Sequence, residues 1–250
     1  MRHQGTPVYM ARAVVKGHAV QEDQLFLLAD LPHLRSPALT AYQTILPERL
    51  NQFPQPATDQ QEYVCCLDQS DRENVNTDSK WTHNLQHDAE SSFWLLTWWA
   101  IHIRAPDTGS SGPPSLVPTQ PWDYLTSIDI DSKEDERDRF LARMIAGSLE
   151  WIDPYYAQLH PLFKRMATQV RGDLHWISKA GSVPDYMREP DVMHEALQRI
   201  ILEFLMDNQD QPFMHQARHP DFRVAPQRHL DVSNSRDSRP GSGKSKGSSR

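Results

Sequence analysis

Between Asp88 and Ile103 the chain carries Phe93, Trp94, Leu95, Leu96, Trp98, Trp99, Ile101 and Ile103, with almost no polar side left on a helix of 3.6 residues per turn. A helix apolar all round is buried all round, so this segment predicts the central element of a helical core. Aromatic side chains at helical spacing inside such a helix read as core, not as a ligand box. The rest of the chain must supply the elements that surround it.

Three further helices have clear signals. One begins after Ser132, an N-cap residue followed by Asp135 and Glu136, and carries Phe140, Leu141, Met144, Ile145, Leu149 and Ile152 on one side. Another starts near Pro154, carries Leu159, Leu162, Phe163, Met166 and Val170, and has a kink expected at His160-Pro161. The last repeats Met193, Ala196, Leu197, Ile200, Ile201, Phe204 and Leu205 at three and four, and stops before Asn208. Weaker helical patterns cover Gln21 to Ala29 and Ala38 to Leu46. No segment alternates as a strand does. Residues 51–84 and 105–121 read as loops, the second mobile, and Ser233 to Arg250 as a disordered Ser/Gly/Arg/Lys tail.

Composition limits the function classes. The net charge of −7 and the absence of a basic stripe argue against nucleic acid as a partner. The most apolar run is about half the ~20 residues a membrane span needs, and the N-terminus has no apolar signal segment, so no membrane association is expected. The two cysteines, Cys65 and Cys66, are adjacent, which favours reduced thiols and a soluble protein of the cytoplasm or nucleus.

Several motif fragments fail on their own chemistry. Gly243-Lys244-Ser245 ends like a phosphate-cradling loop, but Ser238 stands where the first glycine is required. His83 and His87 have metal-ligand spacing without the glutamate of a zinc protease between them, and read as capping or loop residues. Asp129 and Asp131 open like a calcium loop whose glycine and final glutamate positions hold Glu134 and Phe140. Asp221-Phe222-Arg223 has arginine where the magnesium-binding Asp-Phe-Gly has glycine. No nucleophile and base pair suggests a hydrolase.

Two stretches fit one known pattern. Gly5-Thr6-Pro7-Val8-Tyr9-Met10-Ala11 resembles the end of a protein kinase activation segment, Gly-Thr-x-x-Tyr-x-Ala-Pro-Glu. His87, Asp88, Glu90, Ser91, Phe93, Trp94 and Leu96 match His-Asp-x-Glu-Ser-x-Phe-Trp-x-Leu of the fungal-type protein kinase family. Tyr42 and Pro47-Glu48-Arg49 also look like this family, and the resemblance spans residues 3 to 208.

The resemblance implies a mainly α fold, the C-terminal lobe of the protein-kinase-like fold truncated at the N-terminus, with long loops. Residues 1–210 would be a partial kinase domain, 211–232 an irregular extension and 233–250 the tail. It implies substrate-binding roles for Gly5, Thr6, Pro7 and Tyr9, and a catalytic-loop-supporting role for the Asp88 carboxylate. Arg12-Ala13 departs from the family's Pro-Glu, whose glutamate pairs with a buried arginine late in the lobe.

The family's activity is ATP-dependent phosphorylation of protein Ser and Thr. Its Gly-rich loop, strand lysine, helix glutamate, catalytic aspartate and asparagine, and magnesium-binding aspartate do not occur in this chain. An N-terminal truncation, a short isoform or an incomplete gene model, accounts for all of these. No catalytic, cofactor-binding or metal-binding residue is therefore assigned, ATP and magnesium being implied only for an intact member. The partner expected is a protein substrate or another protein. The alternative is a non-catalytic helical scaffold derived from a kinase C-lobe. On the truncation reading, the apolar helix is also expected to leave Trp94, Trp98 and Trp99 uncovered.

Overall fold

A computed structural model describes residues 7–16, 25–57, 62–66, 83–105, 117–126, 136–172, 183–215 and 221–223. The described part is mainly helical, with eight α-helices and four short strands. In chain order these are α1 (Arg12–Lys16), β1 (Leu25–Ala29), α2 (Ser36–Ile45), α3 (Pro47–Gln52), β2 (Glu62–Cys66), α4 (Leu85–His102), β3 (Ile103–Arg104), α5 (Thr119–Thr126), α6 (Glu136–Ile145), α7 (His160–Val170), α8 (Val192–Asn208) and β4 (Asp221–Phe222).

The central helix is α4. Its entry is set by Asn84, whose extended backbone lets its N–H donate to His87 Nδ1 at 3.1 Å. His87 is thus a capping residue. Thr97 is fully buried yet costs little, because its hydroxyl donates to the Phe93 carbonyl one turn back at 2.9 Å. The helix stops where Ile103 turns extended and β3 pairs antiparallel with β4, Ile103 opposite Phe222. Arg223 then fastens that segment, its N–H on the His102 carbonyl at 2.6 Å and its guanidinium on the Trp151 carbonyl at 3.0 Å.

Around α4 the core gathers Phe93 and Trp94 with Phe140, Met144, Trp151, Phe163, Met166 and Ile200. Trp94 is fully buried, and Trp98 and Trp99 are packed against the core and half-buried. The expectation of an uncovered Trp94 is thus corrected, while Trp98 and Trp99 keep part of their surface exposed. α5 to α8 and the turn Pro7–Tyr9 surround the helix closely enough to bury its aromatic side, and its most exposed apolar residues are Leu95 and Leu85.

Several boundaries differ from the sequence reading. The helix expected to reach Ile152 ends at Ile145, because Gly147 adopts φ +90° and closes a Schellman motif. Its N–H donates to the Met144 carbonyl at 3.0 Å and that of Ser148 to Arg143 at 2.9 Å, leaving Leu149 and Ile152 buried in the turn beyond. The helix expected from Pro154 begins as a 3-10 turn, Pro154–Leu159, with Tyr156 off helical dihedrals. Pro161 sits in the first turn of α7, where its missing N–H costs nothing, so the break precedes it.

The helical pattern over Gln21 to Ala29 is overturned. Leu25–Ala29 is a strand, paired antiparallel with Glu62–Cys66, so that Leu25 faces Cys66 and Ala29 faces Glu62. The backbone hydrogen bonds of that pairing are formed with a segment that itself reads as loop. Residues 51–84 and 105–121 also hold structure, namely the end of α3, β2 and the start of α5. Within 211–232, Pro212–His215 is a 3-10 turn and Asp221–Phe222 is β4. Gly5, Thr6, Asp129, Asp131, Ser132 and the 233–250 tail with Gly243 to Ser245 lie outside the described residues.

The stretch from α2 to α3 is held to α8 by charge. The Glu195 carboxylate, fully buried, accepts from Tyr42 Oη at 2.6 Å, Arg199 Nε at 2.7 Å and Arg49 Nη2 at 3.0 Å. Arg199, also fully buried, reaches the Phe53 carbonyl, and Arg49 reaches Asp191. Burial, then the bond to Glu195, pushes the Tyr42 phenol up to about 12, so it stays a donor.

Glu195→Ala leaves Arg199 without its carboxylate in a dry site, while Arg49 keeps Asp191. The expected cost is about 3–5 kcal/mol, read as a lower urea midpoint. Gly147→Ala meets no atom within 4 Å and is expected to lose only the left-handed backbone cost, about 1–2 kcal/mol.

Candidate functional site

The segment that resembles an activation-segment end lies along the middle of α4, from Glu90 to Trp98. Pro7 opens a 3-10 turn over Pro7–Tyr9, and Val8 packs against the main core. The Tyr9 ring meets Trp98 edge-on, with centroids 5.7 Å apart and planes at 89°. Beyond the turn the main chain is held atom by atom. The Ala11 N–H donates to Ser91 Oγ at 3.1 Å, and the Arg12 N–H to Glu90 Oε1 at 3.0 Å. The Met10 carbonyl accepts from Arg137, whose guanidinium lies over the Trp94 ring, 5.0 Å from its centroid.

Arg12 is the anchor. Its side chain is 2% exposed, and its Nε donates to Glu90 Oε1 at 2.8 Å. The rest of the guanidinium reaches Asp138 and the carbonyls of Val170 and Arg171, so α4, α6 and the end of α7 meet on one residue. The same Glu90 oxygen also accepts from Trp94 Nε1 at 2.9 Å. Burial alone pushes the Glu90 carboxyl up, but the Arg12 charge and the bonds from Trp94 and Arg12 outweigh it and hold it below the usual carboxylate range. Burial likewise works against the Arg12 charge, and Glu90 and Asp138 reverse that, raising its pKa.

The residues singled out by the sequence do not converge. Gly5 and Thr6 lie outside the described residues. Pro7 and Tyr9 belong to the docked segment. Asp88 is elsewhere: its side chain is 55% exposed, with His83 Nε2 at 3.4 Å from its carboxylate. At 100° per residue Asp88 shares a helix side with Leu85, Ser92 and Leu95, roughly opposite Glu90 and Trp94. The Arg12–Glu90 anchor thus lies on the side of α4 away from Asp88, whereas Ser91, which the docked segment also bonds, stands only about 60° from it.

Sequence reasoning missed the Arg12–Glu90 pair. The resemblance put the family's anchor in doubt because Ala13 stands at its glutamate position, and it gave no role to Arg12, which the structure pairs with Glu90 of α4. A glutamate within an otherwise apolar helix was the available signal, since such a group is buried only with a partner.

Among the described residues no set of three His, Cys, Asp or Glu side chains could hold a metal ion, and no helix is long and apolar enough to cross a membrane. The buried carboxylates Glu90, Glu195 and Glu203 are each bonded to arginine. Comparison with protein-family models, with curated proteins and with solved structures gave no match.

Glu90 ties stability to pH. With its folded pKa depressed below the unfolded value of about 4.3, its contribution is complete above that pH and fades as pH falls through the folded value. Glu90→Gln is therefore expected to destabilise the chain by about 3–5 kcal/mol at pH 7. The gap to the parent should narrow below about pH 4, which unfolding midpoints across pH will measure.

Proposed function

We propose that this chain is the peptide-docking, C-lobe portion of a fungal-type serine/threonine protein kinase and does not transfer phosphate by itself. The observation that carries the reading is a contact. The two stretches that bear the resemblance are separated by about 80 residues, yet Ala11 and Arg12 bond directly to Ser91 and Glu90. An activation-segment end must be seated on the central helix in this way if its loop is to present a surface to a substrate.

On this reading Pro7 and Tyr9 stiffen the docking surface, with Gly5 and Thr6 ahead of it. The exposed Asp88 carboxylate, at the start of α4, would accept hydrogen bonds from a catalytic-loop backbone. Phosphoryl transfer needs nucleotide- and magnesium-holding groups that are not among these residues, so no chemical step is assigned to them.

One observation favours the second reading, a non-catalytic helical interaction domain. Trp94 is fully buried and the aromatic side of α4 is covered by the chain's own elements. Thermal unfolding of the purified chain separates the two. A sharp transition with no binding of an apolar-surface dye supports the scaffold, whereas a broad transition with dye binding supports a kinase portion.

For the leading reading, the coding sequence upstream of Met1 is expected to encode His-Arg-Asp and Asp-Phe-Gly in frame. The purified chain is expected to show no magnesium-dependent binding of ATP at micromolar concentration. An upstream region without those motifs, or tight ATP binding by these residues, would sink it.

A further inference from the structure

We propose that His102 is an acid-sensitive latch at the C-terminal end of α4, holding α5 against the turn Pro7–Tyr9 as a neutral imidazole and releasing α5 when it takes up a proton. The latch is a file of rings. Tyr9 meets Trp98 edge-on with centroids 5.7 Å apart, and Trp98 lies 4.1 Å from the His102 imidazole with planes tilted by 32°. Trp122 of α5 meets the same imidazole edge-on, at 5.5 Å and 71°. The turn Pro7–Tyr9 also touches α5, so the docked segment, α4 and α5 come together around this one ring.

His102 is built in as a neutral group. It is 5% exposed, and its Nδ1 stands 2.7 Å from the Trp98 carbonyl. A carbonyl only accepts, so Nδ1 carries the hydrogen and a second proton has to go to Nε2. That bond, the C-terminal end of the helix dipole and the indole faces all favour an imidazolium. Burial opposes it most strongly, and the Arg223 charge adds to the opposition. The opposing pair prevails and holds the His102 pKa below its ordinary value.

The other charged groups on the packed elements do not reverse this. Arg223 donates to the Trp151 carbonyl at 3.0 Å and lies 3.4 Å from the Asp153 carboxylate, and its N–H fastens it to the His102 carbonyl at 2.6 Å. Arg104 follows on β3, Asp123 is next to Trp122 on α5, and the Tyr9 phenol lies beyond Trp98. Glu90 stands roughly 18 Å back along the axis of α4.

Release returns the imidazole to an ordinary pKa, near 6.5. Its contribution to closure is therefore complete above that pH, and is lost as pH falls from there through the folded value. α5 is the element that gives way, because eight residues are too few to persist as a helix without packing. The Arg12 anchor stays, since Glu90 loses its charge only below about pH 4. The latch stands on ring geometry and holds under either reading of the function.

The test follows hydrogen exchange of the full chain, expressed as protection relative to an unstructured peptide at the same pH. Between pH 7 and pH 5.5 the amides of Asp123 to Thr126 are expected to lose protection about three- to eightfold, eightfold being roughly the most that one proton supplies with an open-state pKa near 6.5. The Arg12 amide and those of α8 are expected to hold theirs. His102→Phe, which keeps a ring, and His102→Asn, which keeps a donor, are both expected to flatten the fall. In the parent chain the His102 ring resonances are expected to titrate below pH 6.5. Unchanged protection of α5 over this range, or the same fall in whichever variant folds, overturns the proposal. So does an equal loss throughout α8, or a His102 ring that titrates at or above pH 6.5.

Discussion

A single buried oxygen, Oε1 of Glu90, fixes how the chain is arranged. It accepts from the main chain and side chain of Arg12 and from the Trp94 indole, so it orients the N-terminal segment and the largest core side chain together. An unpaired carboxylate at that depth would be prohibitive, so the helix can be buried only if Arg12 arrives. Arg12 in turn needs Asp138 and the carbonyls that end α7 to satisfy its remaining donors. Packing of four separate stretches is thereby made conditional on one pair of residues.

The same device recurs elsewhere in the molecule. Glu195 gathers Tyr42, Arg49 and Arg199, and Glu203 gathers Arg35 and Arg165. Each joins residues more than 100 positions apart or two of the C-terminal helices. This explains how a chain only 38% hydrophobic holds the stretch from Arg35 to Phe53 against α8. Apolar contact alone tolerates sliding, whereas a planar guanidinium between a carboxylate and carbonyl oxygens accepts one arrangement. Such networks contribute less to net stability than their number suggests, because desolvation offsets much of the attraction. What they add is a defined register between segments that share little apolar surface.

What the sequence made legible follows from which forces are local. The apolar periodicity of α4 and α8 marked both helices within a few residues, because helix-face burial is written at a spacing of three and four. β1 was misread, since five consecutive apolar-rich residues suit a helix turn or a strand, and the deciding partner lies at Glu62–Cys66. The end of α6 was misplaced because Leu149 and Ile152 continue the periodicity although Gly147 has already turned the chain. In the site, Tyr9 and Asp88 could be named from the resemblance, but the Arg12–Glu90 bond could not. Its meaning depends on Asp138, Val170 and Arg171, which only the fold brings within reach.

The two sides of α4 therefore answer to different physics. On the Glu90 side every polar atom of the docked backbone from Met10 to Arg12 that the structure pairs is paired to a fixed group, which leaves little freedom. On the Asp88 side the exposed Leu85 and Leu95 are scattered single residues, ordinary for a protein surface, and they do not by themselves require a cover. Asp88 needs no partner for its own stability either, because a carboxylate in the first turn is favoured by the free amides and the helix dipole. A carboxylate so placed keeps acceptor capacity facing water. An approaching backbone would find there an oriented acceptor on a helix already immobilised from its other side.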